Sequence, residues 1–174
     1  MDTTQVLVFV ALAAIVIITQ MGTRTFTLQR FLLPLVASLA VGYHYFHGLP
    51  VAGGDVPFVA ICTIAGLALG ILAAALVQVE RDVDTGKIVT RAGIAYASLW
   101  IIAFGSRIAF GWAASHIWQH QVALFSVQHA ITSPAAWTAA FVMMAIAMVA
   151  ARTLINGARA LQLSRGSLVS ILAR

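Results

Sequence analysis

All but one of the ten Lys and Arg residues of this 174-residue chain fall in three clusters, each at or just beyond the end of an apolar run. Arg24 and Arg30 follow the first run. Arg81, Lys87 and Arg91 follow the third, and Arg152, Arg159, Arg165 and Arg174 follow the fifth. Short loops on the cytoplasmic face of a membrane are enriched in Lys and Arg, so the pattern predicts a chain that returns to that face after its first, third and fifth passes. The exception, Arg107, lies inside the fourth run.

Five segments approach the ~20 apolar residues that a helix needs to cross a bilayer core. They run from Val6 to Met21, Leu28 to Phe46, Val56 to Val79, Ala92 to Ser115 and Ala135 to Ile155. The first has no basic residues before it and no small-x-small cleavage site after it, so it reads as a retained helix with its N-terminus outside. Pro34 falls in the second run, where the first helical turn tolerates it. Composition agrees: 61% of residues are hydrophobic and 9% charged, against roughly 25% charged in soluble domains. A chain this small cannot hide so much apolar surface from water by itself. The sequence pI near 10.4 comes from residues flanking apolar runs and not from one basic stripe, so nucleic acid is not expected as a partner.

The expected fold is an all-α integral membrane bundle of five transmembrane helices, N-terminus outside and C-terminus cytoplasmic. Residues 1–155 form the transmembrane domain, and residues 156–174 a basic cytoplasmic tail that is either a surface helix or frayed. Between the third and fourth spans, Val83-Asp84-Thr85-Gly86-Lys87-Ile88 reads as a tight turn in a small cytoplasmic β-hairpin. Trp112, Trp118, Trp137, Tyr43 and Tyr45 map to the outer boundary, as an interfacial aromatic belt does. Trp118, Val122 and Phe125 recur at helical spacing, which predicts a short surface helix before Pro134 opens the last span.

Cys62, Gly66, Gly70 and Ala74 put a small residue at every fourth position of the third span. Such a stripe admits a second backbone at close range, in the same chain or in a second copy. Cys62 is the single cysteine, so neither an intrachain disulfide nor a Cys-based metal site can form.

Arg107 is the strongest candidate for a ligand-binding residue. An Arg at a helix centre costs ~2.5 to 3.5 kcal/mol on insertion scales, and none of the five acids lies inside a span to pair with it. Either it snorkels to the interface, or it anchors an anionic group in an outward-opening cavity. Asp55, Tyr43 and His44 map close to the outer boundary and join it as ligand-binding candidates; an Asp55–Arg107 pair would be structural, whereas an unpaired Arg107 would be an anion site. All five histidines map to the outer side, with His44 and His47 three apart and His116 and His120 four apart. Those pairs are the candidates for a metal or haem iron, but the spacing is loose and completes no zinc signature. No cofactor follows from the sequence. Nucleophile-elbow, phosphate-loop and paired-carboxylate templates all fail.

The stretch from Val79 to Gly93, with its acidic residues, Gly86 and Lys87, precedes an apolar span carrying Trp100 and Arg107. Together with Arg24 and Arg30 before a Leu-Pro, this resembles the CcdC-like family of small bacterial multi-spanning membrane proteins. The resemblance implies a bacterial inner-membrane location, a charged inner turn and a membrane-embedded Arg107. It implies no catalytic residues, and the outer His pairs are no part of it. Three functions are therefore expected to compete. The first is a non-enzymatic accessory, sensor or transport component that binds a small anionic or lipid-like ligand near Arg107. The others are a haem- or metal-binding redox protein using outer histidines, and a structural subunit that docks a membrane partner or a second copy through the small-residue stripe.

Overall fold

The computed structural model describes residues 22–25, 36, 40, 43, 52–82 and 86–172. Within them a short strand, β1 (Gly22–Thr25), precedes helix α1 (Asp55–Ala75). A strand pair follows, β2 (Val77–Arg81) and β3 (Ile88–Ala92), and then helices α2 (Ile94–His116), α3 (Gln119–Gln128) and α4 (Pro134–Leu172). α1, α2 and the Pro134–Ser164 part of α4 are each long and apolar enough to cross a membrane. The first two expected spans lie almost wholly outside the described residues.

α1 starts where the dipole favours an acid: Asp55 occupies its first turn, and Pro57 falls where a missing N–H costs little. It ends at Ala75 and not at Val79, because Val77 and Val79 alternate with Gln78 and Glu80 and enter β2. At that end Arg159 of α4 donates from Nη1 to the Ala74 carbonyl at 2.8 Å, adding a cationic donor to an acceptor that a cap backbone N–H also meets. β2 and β3 pair antiparallel from Val77↔Ala92 to Arg81↔Ile88, as the hairpin reading expected. The turn is closed by Asp82 N–H to the Lys87 carbonyl at 2.8 Å, and Gly86 supplies the left-handed residue at φ 65°.

Sequence patterning did not anticipate the third strand. β1 pairs antiparallel with β3, Gly22↔Ala92 to Thr25↔Val89, which makes a sheet of order β1-β3-β2. The face carrying Val77, Val79 and Ala92 packs into a core with Ala73, Tyr96, Trp100, Ala103 and Met148. The sheet therefore closes one end of the helical layer.

The helices meet in two different ways. α1 lies directly on α4, Gly66 against the backbone of Met144 and Gly70 against Met148 and Ala151. Cys62 packs beside Val59, Ala139 and Ala140 in the same interface. The partner of the small-residue stripe is thus α4 of the same chain. α2 stands further from α4, and bulky side chains fill the gap. Near the sheet, the Arg152 guanidinium hydrogen-bonds the Tyr96 hydroxyl and lies 5.7 and 5.6 Å from the Tyr96 and Trp100 ring centres. Such cation–π contacts strengthen when desolvated. Near the other end, Phe110 stacks on Trp137 and meets Phe141 edge-on.

α4 does not stop at Ile155. It continues through the expected tail to Leu172, and its 39 residues span about 58 Å at ~1.5 Å per residue. Burial of Thr153, Asn156 and Ala160, together with the Arg159 cap, explains why the helix persists past the apolar run. The opposite face of α1, with Ile61, Ile64, Ile71 and Leu72, is exposed, as are Ile101 and Ile102 of α2. So extensive an apolar surface fits lipid, and the protein is a helical membrane protein.

Candidate functional site

At the end remote from the sheet, α2, α3 and the start of α4 line an open cavity of about 680 Å³. That size suits a small-molecule site. It exists because Phe110, Trp137 and Phe141 hold α2 and α4 apart, where α1 and α4 close fully over glycine. Arg107 forms its inner wall. Both Nε and Nη2 of Arg107 are buried and have no hydrogen-bond partner among the described residues. Desolvating a guanidinium without pairing it is costly, so the arrangement favours an anion beside it.

Asp55 does not supply that anion. Its carboxylate is fully buried and accepts from the Thr132 backbone N–H at 2.8 Å and from the Thr132 hydroxyl. Next to it, Gly54 N–H donates to the Ala130 carbonyl at 2.8 Å. Gly53 and Gly54 come so near the His129–Ala130 backbone that a side chain at either would collide with it. The two loops are thereby latched, and Ala130 pays with a left-handed φ of 51°. The alternative in which Asp55 pairs with Arg107 is not the one observed.

The remaining polar groups around the cavity are largely spent on the protein. Ser126 donates to the Val122 carbonyl at 2.7 Å and accepts from Trp137 Nε1 at 3.2 Å. Thr138 donates to the Pro134 carbonyl at 3.3 Å, and Thr132 is committed to Asp55. Gln119 donates from Nε2 to the Ser115 carbonyl, so among the described lining the guanidinium is the one cationic donor, with the Ser133 hydroxyl beside it.

A second cavity, of about 440 Å³, is lined by Phe110, Trp118, Gln121, Val122, Phe125 and Trp137. Its walls contain the Trp118–Val122–Phe125 face predicted for α3, and Phe125 and Trp137 lie 5.8 Å apart between ring centres. Phe110, Val122 and Trp137 line both spaces.

Of the other residues singled out in the sequence, Tyr43 is helical and 70% exposed and is not among the described walls of the Arg107 cavity. His44 and His47 lie outside the described residues. His116 stacks on Trp112, and its Nδ1 is within 2.9 Å of both the Trp112 carbonyl and the Ser115 hydroxyl. His120 is exposed. Among the described residues no group of three or more His, Cys, Asp or Glu side chains could hold a metal ion. The stripe from Cys62 to Ala74 is occupied by α4, so a partner could use it only by displacing that helix.

Sequence reasoning missed Ser126, Thr132, Trp137 and Phe141 as neighbours of Arg107. Only the run Ser133-Pro134-Ala135-Ala136-Trp137, a helix start with an amphipathic ring one turn in, hinted at a built wall. Comparison of the chain with protein-family models, with curated proteins and with solved structures found no match.

Proposed function

We propose that this chain is a five-pass, non-enzymatic protein of the bacterial inner membrane that binds a small anionic or lipid-like ligand at Arg107. It would serve as an accessory, sensor or transport component, in keeping with the CcdC-like resemblance. The observation that carries the reading is the pair of buried Arg107 nitrogens without a protein partner in a cavity of about 680 Å³. The five-pass topology draws support from the sheet. β1 and β2 belong to the same sheet, so the chain between Thr25 and Val77 leaves and returns on one side of the membrane. α1 accounts for one crossing, and we assign the second to the apolar Leu28–Phe46 run of the sequence. The basic residues Arg24, Arg81, Lys87 and Arg91 on or beside the sheet favour the cytoplasm for that side. The Arg107 cavity then opens outward.

The test is thermal unfolding of the detergent-purified protein with butyrate or inorganic phosphate, compared between the parent and Arg107→Gln. A ligand that binds only the folded state stabilises it by ~2.7 kcal/mol at a hundredfold excess over Kd. The parent should gain stability and the variant should not. Equal gains in both would sink the reading.

A further inference from the structure

Resting on that reading, we infer that the ligand is a single-chain acidic amphiphile, its acid head on Arg107 and its acyl chain laid over the Phe110–Val122–Trp137 wall into the aromatic groove beside α3. Three observations lead there. The head site offers one unspent cationic donor, because the Ser126, Thr132 and Thr138 hydroxyls already donate to protein acceptors. One guanidinium can pair bidentately with one carboxylate or phosphate. A ligand with many polar groups would leave most of them unmatched.

The second space is almost wholly apolar: among the described residues its walls are aromatic and aliphatic apart from Gln121 and the indole N–H groups of Trp118 and Trp137. It shares a wall with the first, so a molecule anchored at Arg107 has a continuous apolar path of rings to follow. The wall is also stiff: Phe110 and Trp137 stack at 5.3 Å between centres and 24° between planes, and Trp137 is tied to Ser126. A flexible chain can bend over such a ridge, whereas a rigid polar solute gains nothing from the groove.

Arg107 lies about 14 Å along the axis below His116, by the ~1.5 Å rise per residue. A free fatty-acid carboxylate and a lysophospholipid phosphate share this chemistry of an acid head on a single chain.

The full-length protein in nanodiscs separates these possibilities through its own tryptophans. Bromine quenches indole emission only near contact, and Trp137 and Trp118 line the groove. The probes are palmitate and lysophosphatidate, each brominated near the methyl end of its chain. At least one should quench in a saturable manner, above the linear quenching of simple partition. Which one saturates identifies the head group. Arg107→Gln should weaken that saturable component at least tenfold. Phe125→Ala, which removes a ring that lines the second space and not the Arg107 cavity, should weaken it similarly while the variant keeps the parent's butyrate-induced stabilisation. If butyrate or phosphate acts through Arg107 but both brominated chains quench only linearly, or Phe125→Ala changes nothing, the amphiphile is refuted and the anion site stands. If Arg107→Gln alters neither readout, both fall.

Discussion

Replacing Gly66 with alanine tests the central contact of the fold with one methyl group. The added Cβ would stand 2.8 Å from both the carbonyl carbon and Cα of Met144, and closer still to the Met144 oxygen. Carbon atoms pack at ~3.5 to 4.0 Å, so α1 and α4 must separate locally by about 0.7 to 1.2 Å. The obstructing atoms are backbone, and no side chain can swing aside. Overpacking of this kind costs ~1 to 3 kcal/mol, while Gly→Ala in a helix returns up to ~1 kcal/mol in propensity. Gly105 supplies the internal reference, because a Cβ there meets nothing within 4 Å. Gly105→Ala should therefore be neutral or stabilising by up to ~1 kcal/mol. Subtracting one variant from the other cancels propensity and leaves the contact, about 1 to 3 kcal/mol against Gly66→Ala. Reversible unfolding of both proteins in mixed micelles, followed by circular dichroism, reads that difference. Agreement within ~0.5 kcal/mol, the usual range for an unencumbered site, would refute the direct seating of α1 on α4.

The loop latch makes two further predictions. Asp55→Ala strips the Thr132 N–H and hydroxyl of their acceptor and should cost ~2 to 4 kcal/mol in the same unfolding assay, as a charge-assisted buried bond does when one partner is removed; Thr132→Val, which keeps the backbone bond, should cost less than Asp55→Ala. Ala130→Gly relieves the left-handed φ and should be neutral or stabilising by up to ~1.5 kcal/mol, since ~1 to 2 kcal/mol of side-chain strain is released against ~0.5 to 1 kcal/mol of added chain entropy. A clear loss of stability in that variant would show that the loop does not hold this conformation.

How legible each element was depended on how local its cause is. α1, α2 and the membrane part of α4 announce themselves as apolar runs, and Gly86 and Pro134 mark a turn and a helix start by their own backbone chemistry. The stripe from Cys62 to Ala74 predicted a close approach, but small residues carry no mark of which helix approaches, and α4 is the one that does. β1 was illegible: Gly22-Thr23-Arg24-Thr25 has no apolar alternation, and it is a strand because the free edge of β3 accepts it. The Arg107 cavity was hidden for a related reason. Apolar residues surround Arg107 at every helical phase, and the space beside it exists only because aromatic side chains on another helix prop α2 away. Asp55 likewise invited pairing with a cation, yet its partner is a threonine 77 positions along the chain. The continuation of α4 past Ile155 was obscured by Arg165 and Gly166, which break the surface pattern without breaking the helix.

The three-stranded sheet also constrains how the chain is made. β1 is synthesised long before β3, and at ~5 to 20 residues per second the stretch from Thr25 to Ala92 takes roughly 3 to 13 s. Through that interval the Gly22–Thr25 backbone has no β3 edge to pair with. The ladder can form only if both segments emerge on the same side of the bilayer. A molecule that fails to insert α1 puts β1 and β3 on opposite sides, where the ladder cannot form. Sheet closure thus acts as a parity check on insertion, and a mis-threaded chain is left with an open strand edge that can pair with another chain.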